Sequence, residues 1–265
     1  MSSVSICVIC GHPLRCLVPR TSHLRYHPGM TATPITTITF DAGNTLLFCE
    51  PTPAEIYSEV LSRHGRAVTA DEVKPVFADA WVELQARTPP GIDRYNSQPG
   101  GEKQWWGAFL REVLARLEHD AEWRPLLDEL YAAFSNPAVW KVYPETHVTL
   151  EALHGRGLEL AVISNWDRRL PEILDGLGLT DWFRTVTVSA IEMVEKPAAG
   201  IFLRTLERLG VGPGETLHIG DSPLEDYDGA TAVGMTPVLI DRPGTFVGNR
   251  YRRIGSLDEV SELLG

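Results

Sequence analysis

The stretch ITFDAGNTLL, residues 38 to 47, places Asp41 directly after a short apolar run and follows it closely with Gly43. Short apolar runs rich in Ile, Thr and Phe and bounded by turn residues predict buried β-strands. A carboxylate at the end of such a strand suggests catalysis, although a single strand-end aspartate is more often a turn or helix cap. The role of Asp41 therefore depends on what accompanies it elsewhere in the chain.

Similar apolar runs recur along the sequence, at residues 35–40, 158–164, 183–189, 216–220 and 236–240. After residue 158 they alternate with helical patterns, at 168–177 and 198–209, whose apolar side chains repeat on one face. Strand, helix and strand in that order imply right-handed crossovers and a parallel sheet covered on both faces. The sequence thus predicts an α/β fold.

More than a hundred residues separate the first predicted strand from the second, too many for one crossover helix. Capping boxes at Thr52 (TPAE) and Thr69 (TADE) predict two helix starts. Apolar stripes within residues 105–117 and 126–134 predict two further helices. We therefore expect a four-helix insertion, and we interpret its tryptophans as core residues because aromatics at helical spacing usually are.

These patterns divide the chain into an extension at residues 1–34, a core domain formed by 35–49 and 143–265, and a helical domain at 50–142. Residues 88–101 are expected to be a long polar connection between helices. Hinges at the two ends of the helical domain would let it close over a substrate.

Polar residues follow the predicted strands at four places: Asp41; Ser164 and Asn165; Lys196; and Asp221 with Asp226. Ligands bind outside the carboxyl ends of the strands in an open parallel sheet, so residues distant in sequence converge there. Each residue alone has a structural explanation as a cap or a solvated loop residue. Their shared position at strand ends predicts a functional site.

The stretch around Asp41, then SNWDRRL, VEKP and GDSPLED, resembles the four motifs of the haloacid dehalogenase superfamily of hydrolases, in order, across residues 35–240. The insertion looks like the C1 cap of subfamily IA, and SNWDRRL and GDSPLEDYDGATAVGM look closest to the REG-2-like group. The resemblance implies a Rossmann-like parallel sheet core with an inserted four-helix cap domain. It implies a small phosphorylated substrate but does not specify which one.

The resemblance also implies the chemistry of the site. Asp41 would attack phosphorus to give an aspartyl-phosphate. Mg²⁺ would be held by Asp41, the backbone carbonyl of Gly43 and Asp221. Asp226 would act from behind these ligands or bind a metal-bound water.

Three more residues complete this expected set. Ser164 and the backbone amide of Asn165 would bind phosphoryl oxygens. Lys196 would supply the positive charge that lets an anionic nucleophile approach an anionic phosphate.

Gly43 departs from the phosphatase pattern of this superfamily, which has a second aspartate there as general acid and base. Loss of such a group is worth about 10²- to 10⁴-fold in rate, and alkyl phosphates should suffer most because their leaving groups are poor. The acid would then come from the cap, with Glu50 as a candidate, from water or from the substrate.

Three hypotheses follow for the function. The first is a Mg²⁺-dependent phosphohydrolase, and the second is a phosphonate- or carbon–halogen-cleaving hydrolase that needs no general acid. The third is a binding or regulatory protein that has lost turnover, for which Gly43 is the sequence support. Because the metal-type motif GDSPLED is retained, phosphorus chemistry is favoured over carbon–halogen cleavage.

Two neighbouring features have structural interpretations. His218, inside a predicted strand, is interpreted as a core-packed or backbone-bonded histidine. Asp167 would cap the helix that follows it, while Arg168 or Arg169 would reach a substrate anion.

Composition excludes several classes of function. The formal net charge of −11 argues against nucleic-acid binding, which relies on Lys and Arg. No segment approaches about 18 consecutive apolar residues, so no membrane span is predicted. Four cysteines, only Cys49 beyond the first sixteen residues, do not form a disulfide framework and favour the cytoplasm. The oligomeric state is left open.

The first 34 residues contain three arginines and no acidic residue, so the composition changes at their end. Three interpretations stay open: a basic targeting peptide, a small metal site from Cys7, Cys10, His12 and Cys16, or a dispensable tail before a natural start at Met30. A structural zinc needs a second ligand pair at a defined distance, and none follows. We therefore favour the tail.

Overall fold

Strands and helices alternate along most of the chain in a computed structural model that describes residues 4–7, 12–15, 34–89, 91–97 and 99–264. The strands are β1 (Val4–Cys7), β2 (His12–Arg15), β3 (Thr37–Phe40), β4 (Leu47–Cys49), β5 (Trp140–Val142), β6 (Glu159–Ser164), β7 (Thr185–Val188), β8 (Thr216–Gly220), β9 (Thr236–Ile240) and β10 (Arg253–Ile254). The helices are α1 (Pro53–Arg63), α2 (Ala70–Ala86), α3 (Gly101–Arg116), α4 (Trp123–Ser135), α5 (Thr146–Gly155), α6 (Leu170–Gly176), α7 (Ser189–Glu192), α8 (Ala199–Leu209), α9 (Gly229–Ala232) and α10 (Val260–Leu263).

A six-stranded parallel sheet in the order β10, β9, β8, β3, β6, β7 forms the centre of the molecule. Phe40 of β3 lies opposite Ile219 of β8 on one side and Val162 of β6 on the other. All four residues of β3 are buried, as expected for a strand covered on both faces. The sheet confirms the predicted α/β fold and sets the carboxyl ends of β3, β6 and β8 side by side.

Helices α1 to α4 stand between β4 and β5, two short strands that pair antiparallel. The hydroxyls of Thr52 and Thr69 accept from the backbone N–H groups of Glu55 and Glu72, whose carboxylates bond back to the capping residues. Both predicted capping boxes are confirmed, and with them the starts of α1 and α2. The domain boundaries near residues 50 and 142 stay a prediction.

An aromatic cluster packs the helices of the insertion together. The rings of Trp105 and Phe109 stack with their centroids 5.9 Å apart, and Phe77 meets Phe109 edge-on at 4.8 Å. Tyr57 contacts Phe77 edge-on at 5.2 Å. Each such pair contributes about 0.5–1.5 kcal/mol beyond the area it buries. The interpretation of the tryptophans as core residues is right for Trp105, which is 2% exposed.

The segment 88–101, expected to be a polar connection, contains a buried turn. Its residues Arg94–Asn96 form a short 3₁₀ helix, for which the carboxylate of Asp93 accepts from the N–H of Asn96. Asp93, Arg94 and Tyr95 are all buried. Polar composition alone did not predict this burial, which charged side chains tolerate only when paired partners offset the loss of water.

The described part of the first 34 residues is the backbone of β1 and β2, which pair antiparallel. The metal site considered for Cys7, Cys10, His12 and Cys16, and the interpretation as a tail or a targeting peptide, concern side chains and segments outside the described residues. Within the described part of the chain, no helix has both the length and the apolar character needed to cross a membrane.

Candidate active site

The predicted strand-end residues lie together around one ammonium group. Lys196 Nζ lies 2.6 Å from Asp41 Oδ1 and 2.5 Å from Asp226 Oδ1. It also donates to the carbonyl of Ile163 at 2.9 Å, so all three of its donors are used. Ser164 Oγ donates to the same oxygen of Asp41 at 2.9 Å. Residues distant in sequence thus meet at the carboxyl edge of the sheet, while their catalytic roles stay predictions.

Charge pairing dominates the electrostatics of this cluster. Burial alone would lower the pKa of Lys196, but Asp226 and Asp41 outweigh it and raise that pKa above its usual value. Burial alone would raise the pKa of Asp226, but Lys196 and then His218 hold that pKa below its usual range. Burial raises the pKa of Asp41 even though Lys196 stands beside it. Charge pairing therefore favours the charged forms of Lys196 and Asp226, whereas burial disfavours the charged form of Asp41.

Asp226 is held tightly between the end of β8 and the turn that follows. The N–H of Ser222 donates to Asp226 Oδ2 at 2.9 Å, and His218 Nε2 lies 3.1 Å from Oδ1. A Cβ atom on Gly220 would lie 2.1 Å from Asp226 Cγ, so only glycine leaves room for this carboxylate. His218 Nδ1 in turn lies 2.8 Å from Thr39 Oγ1. His218 is buried as expected, but its partners are side chains, one of them a site carboxylate.

Three carboxylates form an acidic cluster here. One oxygen from each of Asp41, Asp221 and Asp226 lies within 4.8 Å of the others. Burial first, and then the charges of Asp41 and Asp226, raise the pKa of Asp221 well above its usual value. Asn44 Nδ2 donates to Asp221 Oδ2 at 3.3 Å. Closely spaced carboxylates form the kind of oxygen-rich set that binds Mg²⁺.

The side chain of Asn165 connects the end of β6 to the loop that carries Lys196. Its Nδ2 donates to the carbonyl of Lys196 at 2.9 Å, and its Oδ1 accepts from the N–H of Lys196 at 2.7 Å. These two bonds fix the backbone from which the buried ammonium extends. The phosphoryl contact that the family resemblance implies for Asn165 involves its backbone N–H instead.

A cavity of about 460 Å³ opens beside Gly43 and Asn44, next to Asn165 and Trp166. Its described lining includes ten aromatic side chains, those of Phe48, Tyr57, Phe77, Trp81, Tyr95, Trp106, Tyr131, Phe134, Trp140 and Trp166. Most of these side chains come from helices α1 to α4 and the turn between α2 and α3. The interpretation of the tryptophans as core is therefore incomplete, since Trp106 is half-buried and lines this cavity.

The indole of Trp166 occupies the space beside Gly43. A Cβ atom on Gly43 would lie 3.3 Å from Trp166 Cζ3, closer than an ordinary contact. The ring of Trp166 packs edge-on against that of Trp140, with centroids 4.9 Å apart. Glu50, considered as a replacement acid, is exposed and does not belong to the described lining of the cavity. Sequence reasoning did not identify Trp166, although it directly follows the SN pair.

Arg169 lines the cavity but is already paired. Its Nε donates to Asp167 Oδ1 at 2.8 Å, its Nη2 donates to Asp167 Oδ2, and its Nη1 donates to the carbonyl of Tyr131 at 3.0 Å. The guanidinium lies over the ring of Tyr131, 4.0 Å from the centroid. Asp167 also accepts from Trp106 Nε1 at 2.8 Å. Of the two arginines expected to reach a substrate anion, Arg169 lines the cavity, but its charge is already paired within the protein. Contact with a substrate stays a prediction.

Arg94, which sequence reasoning missed, joins two loops of the site from outside. Its Nε donates to Glu195 Oε2 at 2.7 Å and its Nη2 donates to Glu225 Oε1 at 2.9 Å. Glu195 and Glu225 directly precede Lys196 and Asp226 in the sequence. Burial alone would lower the pKa of Arg94, but Glu225 and Glu195 raise it. One cation from the insertion thus links the loops that carry the central ion pair.

Comparison with known proteins gives consistent similarities. A family model described as haloacid dehalogenase-like hydrolase matches residues 35–234. The mouse haloacid dehalogenase-like hydrolase domain-containing protein 3 is 36% identical over 206 residues, covering 77% of this chain and 80% of that protein. The rhythmically expressed gene 2 protein of Drosophila melanogaster is 28% identical over 213 residues, covering 77% and 82%. A Thermus thermophilus phosphoserine phosphatase is 32% identical over 172 residues, covering 62% and 69%.

Solved structures agree with the fold. A HAD phosphatase from Thermococcus onnurineus has a TM-score of 0.60 and 29% identity, covering 87% of this chain and 98% of that one. A 2-haloacid dehalogenase from Pseudomonas syringae has a TM-score of 0.58 and 28% identity, with the same coverage of 87% and 98%. The resemblance stated from the motifs, including that to the REG-2-like group, is confirmed. Phosphatases and dehalogenases both occur among the similar proteins, so similarity alone does not choose between their reactions.

Proposed function

Because the chain belongs to the haloacid dehalogenase-like hydrolase family, we propose that it is a Mg²⁺-dependent phosphohydrolase acting on a small phosphorylated metabolite. The observation that carries this proposal is the charge of the site, where Asp41, Asp221 and Asp226 cluster and the ammonium of Lys196 pairs with Asp41 and Asp226. Three carboxylates against one ammonium leave an excess of negative charge, and buried charge without a partner is costly. A divalent cation compensates this excess.

The donors fit Mg²⁺, which prefers hard oxygen ligands. Asp41, Asp221 and the backbone carbonyl of Gly43 would hold the ion, with Asp226 behind them or on a metal-bound water. When bound, Mg²⁺ reduces the negative charge of the substrate's phosphoryl oxygens. The carboxylate of Asp226 is already hydrogen-bonded to Lys196, His218 and the N–H of Ser222. We therefore assign it mainly to positioning.

In the proposed first step, a carboxylate oxygen of Asp41 attacks phosphorus and forms a P–O bond, while the bond to the leaving oxygen breaks and that oxygen keeps the electron pair. Ser164 Oγ and Lys196 Nζ both donate to Asp41 Oδ1 and hold the carboxylate in place. Lys196 brings positive charge to the phosphoryl group, and the backbone N–H of Asn165 binds one of its oxygens. Water then attacks phosphorus, the bond to Asp41 breaks with its electron pair returning to the carboxylate, and hydrogen phosphate departs while the second proton of that water passes to solvent.

Gly43 provides no proton for the leaving oxygen in this scheme. Positioned acid and base catalysis is worth about 10²- to 10⁴-fold, or about 2.7–5.5 kcal/mol. We therefore expect slow turnover of alkyl phosphates and faster turnover of phosphates whose leaving groups are stable as anions.

Carbon–halogen or phosphonate cleavage is the second candidate, because neither needs the missing acid. The acidic cluster argues for phosphorus chemistry, since an excess of carboxylates repels a metal-free anionic substrate. A binding or regulatory role without turnover is the third candidate, and Gly43 is its support.

The experiment measures phosphate release from phenyl phosphate by the purified full chain, with Mg²⁺ and with EDTA, beside the isosteric Asp41→Asn variant. We expect release that requires Mg²⁺ and is abolished in Asp41→Asn. Chloride release from 2-chloropropionate that persists in EDTA would instead indicate a dehalogenase. Absence of both activities in a folded protein would leave the binding role.

A further inference from the structure

The residues that line the cavity beside Asp41 favour a flat, aromatic leaving group on the substrate. We propose that the substrate is an aryl phosphate, in which phosphate is esterified to an oxygen on an aromatic ring. This inference rests on the proposed phosphohydrolase function and specifies its substrate class. The relevant contacts are those of Gly43, Trp106, Trp166 and Arg169.

The cavity is continuous with the place where phosphate would sit. Gly43 and Asn44 directly follow the loop of Asp41, Asn165 directly follows Ser164, and all three line the cavity. A substrate with its phosphoryl group at Asp41 therefore extends its leaving group into this space. The volume of about 460 Å³ lies within the range of about 300–1,000 Å³ usual for small-molecule sites, so there is room for a one- or two-ring body.

The charged residues of the described lining offer no unpaired cation in the interior to an anionic group of the substrate. Glu55, Asp71 and Lys74 are exposed and mark the solvent side of the cavity. In the interior, the guanidinium of Arg169 already has Asp167 and the carbonyl of Tyr131 as partners. A carboxylate on the substrate would thus enter an interior whose guanidinium is already paired, which is unfavourable. Aromatic rings, by contrast, pack well against aromatic walls.

The surroundings of the leaving oxygen point to the same class. Trp166 Cζ3 lies 3.3 Å from the position of a Cβ on Gly43, so an apolar indole edge borders this position, and glycine itself supplies no proton. Without a positioned acid, the fastest substrates are those whose leaving oxygen is stable as an anion. A phenol meets this condition because its pKa is roughly 10, whereas an alcohol resembles water, whose pKa is on the order of 16. The bond from phosphorus to the ring oxygen breaks, and phenolate leaves without receiving a proton.

The test compares phosphates in which the aromatic ring and the quality of the leaving group vary independently. Acetyl phosphate has a good leaving group without a ring, benzyl phosphate has a ring on an alkyl oxygen, and 1-naphthyl phosphate has both features. Phosphoserine, the substrate named for a similar protein, carries charges on an alkyl oxygen. We expect kcat/KM for 1-naphthyl phosphate to exceed that for each of the others by about tenfold or more.

A binding measurement shows the contribution of the aromatic ring to affinity without turnover. Affinities of 1-naphthylphosphonate and methylphosphonate are measured by calorimetry in Mg²⁺. We expect the aromatic phosphonate to bind about tenfold or more tightly, and Trp106→Ala to reduce this ratio about three- to tenfold. Trp123→Ala is the matched control, because Trp123 is a half-buried tryptophan of the same insertion that does not line this cavity, and it should leave the ratio unchanged.

The outcomes distinguish the two proposals. Equal or faster turnover of acetyl phosphate, or equal affinity of the two phosphonates, overturns the aryl phosphate inference while leaving a phosphohydrolase. Absence of turnover of every phosphate overturns the proposed function, and the inference about its substrate with it. A preference for the naphthyl compounds that Trp106→Ala lowers and Trp123→Ala does not is the supporting result.

Discussion

Two glycines, Gly220 and Gly43, make room for side chains at the site. Gly220 leaves space for Asp226, because a Cβ at residue 220 would lie 2.1 Å from Asp226 Cγ. Gly43 leaves space for the indole of Trp166, which a Cβ would approach to 3.3 Å. Glycine at residue 220 thus keeps a carboxylate in the site, whereas glycine at residue 43 lets an apolar ring approach and supplies no acid.

Replacement of Gly220 by alanine tests the first of these positions. In Gly220→Ala the new methyl group displaces Asp226 and disturbs its bonds to Lys196 and His218. We expect Mg²⁺ affinity to fall about 10- to 100-fold, as it does when groups behind metal ligands are moved. Calorimetric titration with Mg²⁺ measures this.

Gly214→Ala is the control for that experiment, because a Cβ at residue 214 meets no atom within 4 Å. Its Mg²⁺ affinity should equal that of the wild type. If Gly220→Ala also bound Mg²⁺ like the wild type, Asp226 would have no part in holding the metal site together.

Among the elements, the turn between α2 and α3 contacts the loops that carry Lys196 and Asp226. Arg94 bonds to Glu195 and Glu225, one residue before Lys196 and Asp226. The side chain of Arg94 is 4% exposed, so its ion pairs are little screened by solvent. The insertion therefore stabilises the loops of the site as well as covering them.

Removal of this cation should destabilise the protein. In Arg94→Met, Glu195 and Glu225 lose their shared partner, and we expect the free energy of unfolding to fall by about 3–5 kcal/mol. Urea denaturation measures the change. Arg87→Met, which removes an exposed ion pair with Glu83 at the end of α2, is the control and should cost at most about 0.5 kcal/mol. Equal stabilities of the two variants would contradict the structural role of Arg94.

The strands, the capped helices and the strand-end residues could be predicted because each leaves a local signal. Thr52 and Glu55 are three residues apart, which is the spacing of a capping box, and Asp41 directly follows an apolar run. The bonds of Arg94 could not be predicted, since its partners lie more than a hundred residues away and polar composition suggests exposure. The prediction that Trp106 is a core residue was incomplete for a different reason. Helical spacing places an aromatic on an apolar face, but it does not show whether that face meets another helix or a cavity.

At the scale of the whole molecule, charge decides whether the site is complete. The central cluster has three carboxylates for one lysine, and the chain as a whole carries a formal net charge of −11. Mutual repulsion among Asp41, Asp221 and Asp226 therefore opposes folding until a cation binds.

Magnesium should accordingly stabilise the protein against heat. At a concentration a hundredfold above its Kd, a ligand stabilises by about 2.7 kcal/mol, which for a chain of this size corresponds to a rise in Tm of about 5–10 °C. Asp221→Asn should abolish this rise and, without Mg²⁺, should itself raise Tm because one repulsive charge is lost. Calorimetric scans with Mg²⁺ and with EDTA measure both effects. A wild type indifferent to Mg²⁺ would show that the acidic cluster is not a metal site.

The most direct measurement is to look for phosphate on Asp41 itself. The full chain is mixed with Mg²⁺ and phenyl phosphate, quenched in acid within milliseconds to seconds, and mapped by mass spectrometry. We predict a phosphoryl group on the peptide containing Asp41, none on that peptide in Asp41→Asn, and none in the wild type without Mg²⁺. Phosphate release with Asp41 unmodified at every time, or release undiminished in Asp41→Asn, would contradict the aspartyl-phosphate mechanism.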